Sequence, residues 1–152
     1  KDGLIQKIPE CLMKLVIDTG ILISALLKDS ATREILLFSG IDFLLPEYAI
    51  EEIERHKDNI SIRSGLSKED IEIVLSLIIE NVTIIPASKL KPYAGKAHKI
   101  IGSIDPFDVP FVALALSTEN DGIWSNDKHF NNLQDIKIWK TSDVFDYLKS
   151  QT

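Results

Sequence analysis

A single cysteine, Cys11, in 152 residues excludes an intrachain disulfide and a zinc site built of cysteines, and it suits a reducing compartment. No uncharged apolar run approaches the roughly 20 residues that a membrane-spanning helix needs. The first residues also lack the basic-then-apolar pattern of a secretion signal. We therefore expect a cytoplasmic protein with no membrane contact. Positive charge is short as well: 17 lysines and arginines face 23 acids, for a formal net charge of −6. Such a chain repels a polyanion as a whole, which counts against broad electrostatic binding of DNA or RNA. It leaves room for a local site where divalent cations reverse the sign of an acidic cluster. Histidine is equally scarce, and His98 and His129 have no partner at metal-ligand spacing, so both read as surface residues. No internal repeat, low-complexity tract or linker interrupts the chain.

What is there is the make-up of one globular domain, 45% apolar and 26% charged, long enough for a sizeable core and too short for two ordinary ones. The only methionine, Met13, directly precedes the first apolar run. We read Met13 as the native start and residues 1–12 as an appended leader. That leader carries Lys1 and Lys7 against Asp2 and Glu10, so the charge of −6 is the same without it.

Leu15 to Ile17 are aliphatic without alternation, as in a strand buried on both faces of a parallel sheet. Helices are expected from Ile21 to about Leu27 and from Thr32 to Phe38, the latter stopped at Gly40. Asp42–Pro46 reads as a second strand, followed by a helix over 47–56 with Tyr48, Ile50 and Ile53 inward and Glu52 beside that stripe. Ser67, with Asp70 three residues on, opens a helix carrying Ile71, Val74, Leu75 and Ile78. A third strand over 81–86 leads to a loop and a basic helix through Ile101. Asp105 to Leu116 is an Ala-rich helix, 122–125 a fourth strand and 136–139 a fifth. Ser142 is expected to cap a final helix with Val144, Phe145 and Leu148 inward. Strands alternating with helices give an α/β class, a doubly wound parallel sheet in one layered sandwich.

In such sheets ligands bind outside the carboxyl ends of the strands, where strand order reverses. Asp18 ends the first strand, Asp127 follows the fourth, Asp108 opens the helix leading into the fourth, and Glu52 lies in the helix after the second. All four reach one rim. Converging carboxylates repel and need a counter-charge, and oxygen donors without a histidine or cysteine cluster select Mg²⁺ or Mn²⁺. Such ions suit in-line hydrolysis of a phosphodiester. Each acid also has a structural reading: Asp18 as a turn or cap residue, Asp108 as a first-turn acid on the helix dipole, Asp105 before Pro106 as an N-cap. Ser125 either caps the turn after strand four or hydrogen-bonds Asp127 and orients it. Glu51 and Glu54 read as solvent-facing.

At these residues the chain resembles the PIN-domain family, metal-dependent nucleases that include VapC-type toxins. The resemblance is carried by LVIDTGIL at 15–22, LPEYAIEEIERH at 45–56, DPFDVPFVALAL at 105–116 and IWSNDKHF at 123–130. It implies a single-domain three-layer α/β/α sandwich over residues 13–152, its five parallel strands in the order 3-2-1-4-5. It implies Asp18, Glu52, Asp108 and Asp127 as catalytic metal ligands, with Glu52 chosen over Glu51 by the match of the Glu-Ile pair. Ser125 and Asp105 would support the fourth and third acids. The implied activity is Mg²⁺- or Mn²⁺-dependent endoribonuclease cleavage of single-stranded RNA, in a toxin held by an antitoxin or in a stand-alone enzyme. A homodimer is implied as well. Arg63 and the lysines from Lys89 to Lys99 are candidates for backbone contacts, against a solvated lysine face. Two residues after the first acid the family commonly has Asn, where this chain has Gly20. That departure, with the acidic net charge, motivates the alternative of a non-catalytic PIN-fold module that binds nucleic acid or protein. A receiver domain or a haloacid-dehalogenase-type phosphatase also places acids at a switch point, but the latter wants Asp-x-Asp where the chain has Asp18-Thr19-Gly20.

Overall fold

A computed structural model describes residues 13–27, 30–133 and 135–151. Cys11 and the expected leader, residues 1–12, lie outside the described residues. The chain runs β1 (Lys14–Ile17), α1 (Thr19–Leu26), α2 (Ser30–Phe38), β2 (Asp42–Pro46), α3 (Glu47–Arg55), α4 (Lys57–Ser64), α5 (Lys68–Ile79), β3 (Val82–Ile85), α6 (Ala87–Leu90) and α7 (Ala94–Ala97). After α7 come α8 (Val109–Ser117), β4 (Ile123–Trp124), β5 (Ile138–Trp139) and α9 (Thr141–Ser150). The five strands form one parallel sheet in the order β3-β2-β1-β4-β5. The fold is thus the expected three-layer α/β/α sandwich.

β1 occupies the centre because every residue after Lys14 is apolar: Leu15, Val16 and Ile17 are wholly buried, as a strand covered on both faces must be. α1 packs with α2, α3, α4 and α5, while α8 lies against β1 and β2 with α6 and α7 beside it. Phe43 of β2 and Trp124 of β4 meet at 5.8 Å between ring centroids, and the Trp124 indole N–H donates to Thr141 Oγ1 at 3.0 Å, tying α9 to the sheet. Gly122 takes φ of +130°, and a Cβ there would lie 2.2 Å from the Lys137 carbonyl oxygen. Glycine is what lets β5 approach β4.

The departures from expectation have local causes. α4 is a helix not expected between the two at 47–56 and after Ser67; it closes at Gly65, which adopts the left-handed conformation at φ +77°. The basic stretch is not one helix but α6, a 3₁₀ turn over Lys91–Tyr93 containing Pro92, α7, and a π turn over His98–Gly102. Pro92 lacks the N–H that a continuous ladder requires. Lys140 is the N-cap of α9, its backbone N–H donating to Asp143 Oδ2 at 2.9 Å, so Ser142 lies inside the helix and is not its cap. Against expectation Phe145 turns outward at 52% exposure, while Val144 is buried and Leu148 half-buried. In α3 the fully buried positions are Ala49 and Ile53, with Tyr48 and Ile50 half-buried.

Candidate functional site

The register of β1 with β4 builds the first part of the site. Ile17 pairs with Trp124, so the next residues along the two parallel strands, Asp18 and Ser125, emerge side by side at the carboxyl edge. Ser125, wholly buried, donates its hydroxyl to Asp18 Oδ2. The other Asp18 oxygen, Oδ1, accepts the Ile21 N–H at 2.9 Å, so Asp18 is also the N-cap of α1. Both readings of Asp18, cap and site acid, are therefore realised in one side chain. Ser125 Oγ in turn accepts the Asp127 N–H at 3.0 Å. The serine thus orients the first acid directly and the fourth through its backbone, rather than through the Asp127 side chain as one reading had it.

Glu52 is brought in by the packing of α3 on α1, where it accepts a hydrogen bond from the Thr19 hydroxyl. Thr19 could not be singled out from the sequence, because its partner lies 33 residues away. Asp105 does cap the turn that follows it: its Oδ1 accepts the Phe107 N–H at 2.9 Å, and its carbonyl accepts the Asp108 N–H at 3.1 Å. This 3₁₀ turn, Pro106–Asp108, aims Asp108 at the rim just before α8 begins.

Asp18, Glu52, Asp105, Asp108 and Asp127 all line one cleft of about 520 Å³, together with Thr19, Gly20, Phe107, Phe111 and Asn126. Among the described residues lining it there is no lysine or arginine, and the only basic side chain is His56. Glu51 and Glu54 are exposed and lie outside it, as expected. His98 is likewise away from the cleft.

His129 is the correction. Instead of a free surface residue it sits at the edge of the cluster, its Nδ1 3.2 Å from Asp105 Oδ2, 3.2 Å from Asp108 Oδ2 and 3.5 Å from Asp127 Oδ1. Its backbone N–H also donates to Asp127 Oδ1 at 2.9 Å. Asp105, Asp108 and His129 each present a ligand atom within 4.8 Å of the other two. The signal in the sequence was its place in the turn after strand four, two residues from Asp127.

Burial and mutual repulsion set the electrostatics of the cluster. Burial pushes the Asp18 carboxyl up from 3.8 to about 6, helped by the charges of Asp127 and Glu52 and opposed by the hydrogen bonds from Ser125 and Ile21. Burial likewise raises Asp108 to about 6, with Asp105 and Asp127 adding to it and His129 opposing. The His129 imidazole is raised by its hydrogen bond to Asp108 and by the Asp127 charge. Asp127 thus acts on both halves of the cluster. Converging, mutually repelling hard oxygen donors fit a divalent cation.

Comparison with known proteins agrees with this geometry. A family model described as PIN domain matches residues 16–149. No curated protein matches the chain. Among solved structures, a chain in the crystal structure of VapBC2 from Rickettsia felis bound to a DNA fragment from their promoter is similar, with a TM-score of 0.66 and 15% sequence identity. That likeness covers 84% of this chain and 98% of the other, and it is one of fold. With a family match across nearly all of the described sheet, and the acids at its carboxyl rim, the chain belongs to the PIN-domain family.

Proposed function

We propose that the protein is a metal-dependent endoribonuclease that hydrolyses phosphodiester bonds of single-stranded RNA. The observation that carries the proposal is the convergence of Asp18, Glu52, Asp108 and Asp127 on one cleft at the carboxyl ends of β1 and β4, with no lysine or arginine lining it among the described residues. These four acids would hold Mg²⁺ or Mn²⁺, which when bound supplies Lewis acidity toward a phosphate oxygen and lowers the pKa of water. The chain's own contribution is position. Ser125 fixes Asp18 and the Asp127 backbone, Thr19 fixes Glu52, and Asp105 braces the turn that presents Asp108. A preset arrangement of this kind loses little freedom when substrate arrives.

As in VapC-type toxins, an antitoxin partner and a homodimer belong to the same proposal, as does a cytoplasmic location. No helix among the described residues is long and apolar enough to cross a membrane. Residues 13–152 would form the nuclease unit. Lys89, Lys91, Lys96 and Lys99, like Arg63, stand apart from the acids lining the cleft and would meet only the outer RNA backbone.

A second reading rests on Gly20. The cleft receives no side chain there, where a Cβ would lie 3.4 Å from Asp18 Oδ1. That gap favours a PIN-fold module that binds nucleic acid or protein without cutting. The test is cleavage of a labelled single-stranded RNA with Mn²⁺, with Mg²⁺ and with chelator, for the wild type and Asp108→Asn. Metal-dependent cutting that the folded variant loses by at least about a hundredfold supports the nuclease. Cutting that persists in the variant, or no cutting by either with both folded, counts against it.

A further inference from the structure

Phe107 is 63% exposed and lines the acidic cleft. Other large apolar side chains of comparable exposure, Phe38, Ile62 and Ile73, lie on α2, α4 and α5 and line no part of it. An aromatic ring left in water forgoes most of the free energy its burial would yield. This ring is not loosely placed. Its own N–H donates to Asp105 Oδ1 at 2.9 Å, the following N–H, that of Asp108, donates to the Asp105 carbonyl, and Pro106 stiffens the residue before it. The turn therefore fixes the backbone that carries the exposed ring, one residue before Asp108, an acid that faces the scissile phosphate in the proposed reaction. Phe111, which also lines the cleft, is by contrast only 2% exposed and belongs to the core.

We infer that Phe107 is the stacking platform for the nucleobase adjoining the phosphate held at the acids. The inference rests on the nuclease reading above and deepens it. The charge balance supplies the reason. With a net charge of −6 and no lysine or arginine lining the cleft among the described residues, RNA cannot be retained there by cations of the protein. A metal at the acids would hold only the phosphate, so within the cleft stacking on an aromatic ring is the source of affinity for the nucleoside itself, and it tolerates any base because every base has a π-face. It also selects the strand state: in a duplex both faces of a base are already covered by its neighbours, so a single projecting ring gains a partner only from an unpaired nucleotide.

The experiment compares wild type with Phe107→Ala, Phe107→Leu and Phe107→Trp in steady-state cleavage of a labelled single-stranded oligoribonucleotide with Mn²⁺. It repeats the series on oligonucleotides carrying one abasic position next to the cut site. Phe107→Ala is expected to raise KM about ten- to a hundredfold while kcat stays within about threefold. Phe107→Trp should restore KM and Phe107→Leu should not. The abasic substrate should weaken wild type as much as the alanine variant and weaken that variant no further. Cleavage by wild type with an unchanged KM in Phe107→Ala, or full rescue by leucine, overturns the role of Phe107 and leaves the nuclease standing. So does an effect confined to binding of a protein partner. Absence of both cleavage and RNA binding in wild type overturns both readings.

Discussion

Neutralising Asp18 should make the metal-free protein more stable while removing a ligand of the proposed metal site. The side chain is 6% exposed, and its carboxyl is raised from 3.8 to about 6, first by burial and then by Asp127 and Glu52. At about 1.4 kcal/mol per unit this is roughly 3 kcal/mol. Between pH 3.8 and 6 the folded chain holds a proton that the unfolded chain has released. Unfolding free energy from this group therefore falls as pH rises: the contribution is complete below 3.8 and gone above about 6. An amide cannot ionise, so Asp18→Asn recovers that loss at pH 7. It can still accept the Ile21 N–H, but it replaces the Ser125 hydroxyl bond with a weaker donor arrangement, at a cost of about 1 kcal/mol. The expected net gain at pH 7 is about 1–2 kcal/mol, or roughly 3–6 °C in Tm, shrinking to nothing or reversing at pH 4. Urea unfolding in chelator at both pH values measures it. Adding Mn²⁺ should raise the Tm of wild type by ligand linkage and leave the variant unmoved. A variant destabilised equally at pH 4 and pH 7 would refute the charge argument and leave Asp18 as a helix cap alone.

Other consequences follow from the same geometry. The His129 imidazole is raised by its hydrogen bond to Asp108 and the nearby Asp127 charge, so its stabilising contribution is full below its unfolded value of 6.5 and disappears as pH climbs past its folded value. In chelator, His129→Gln should accordingly lower Tm at pH 6 and have less effect at pH 8.5; a loss independent of pH would point to packing. Gly122→Ala should cost at least about 3 kcal/mol, because the new Cβ meets the Lys137 carbonyl at 2.2 Å and φ is +130°. Denaturant midpoints would show it, and a cost under about 1 kcal/mol would mean that β4 and β5 can separate freely.

The sequence by itself determined the sheet and the identity of its rim acids. An unalternating run at Leu15–Ile17 can be buried only at the centre of a parallel sheet, so the carboxylate that ends it must open at the carboxyl edge. Local chemistry was equally legible in Asp105-Pro106, where a cap and a proline fit only a helix start, and in Ser67, whose Oγ accepts the Asp70 N–H at 3.0 Å. Even the helix stop at Gly40 follows from its positive φ of 80°. What pattern could not supply is contact across long separations. Ser125 turns to Asp18 because β1 and β4 pair in one particular register, 107 residues apart. Thr19 finds Glu52 only when α3 packs on α1, and His129 becomes part of the cluster only when the turn after β4 folds over Asp105 and Asp108. Phe145 faces water because α9 docks through Val144 and Leu148, a choice of face that helix packing and not the cap decides. Periodicity and capping act within a few residues and are written in the sequence; register, helix docking and the resulting neighbours of each charge exist only once the sheet has closed.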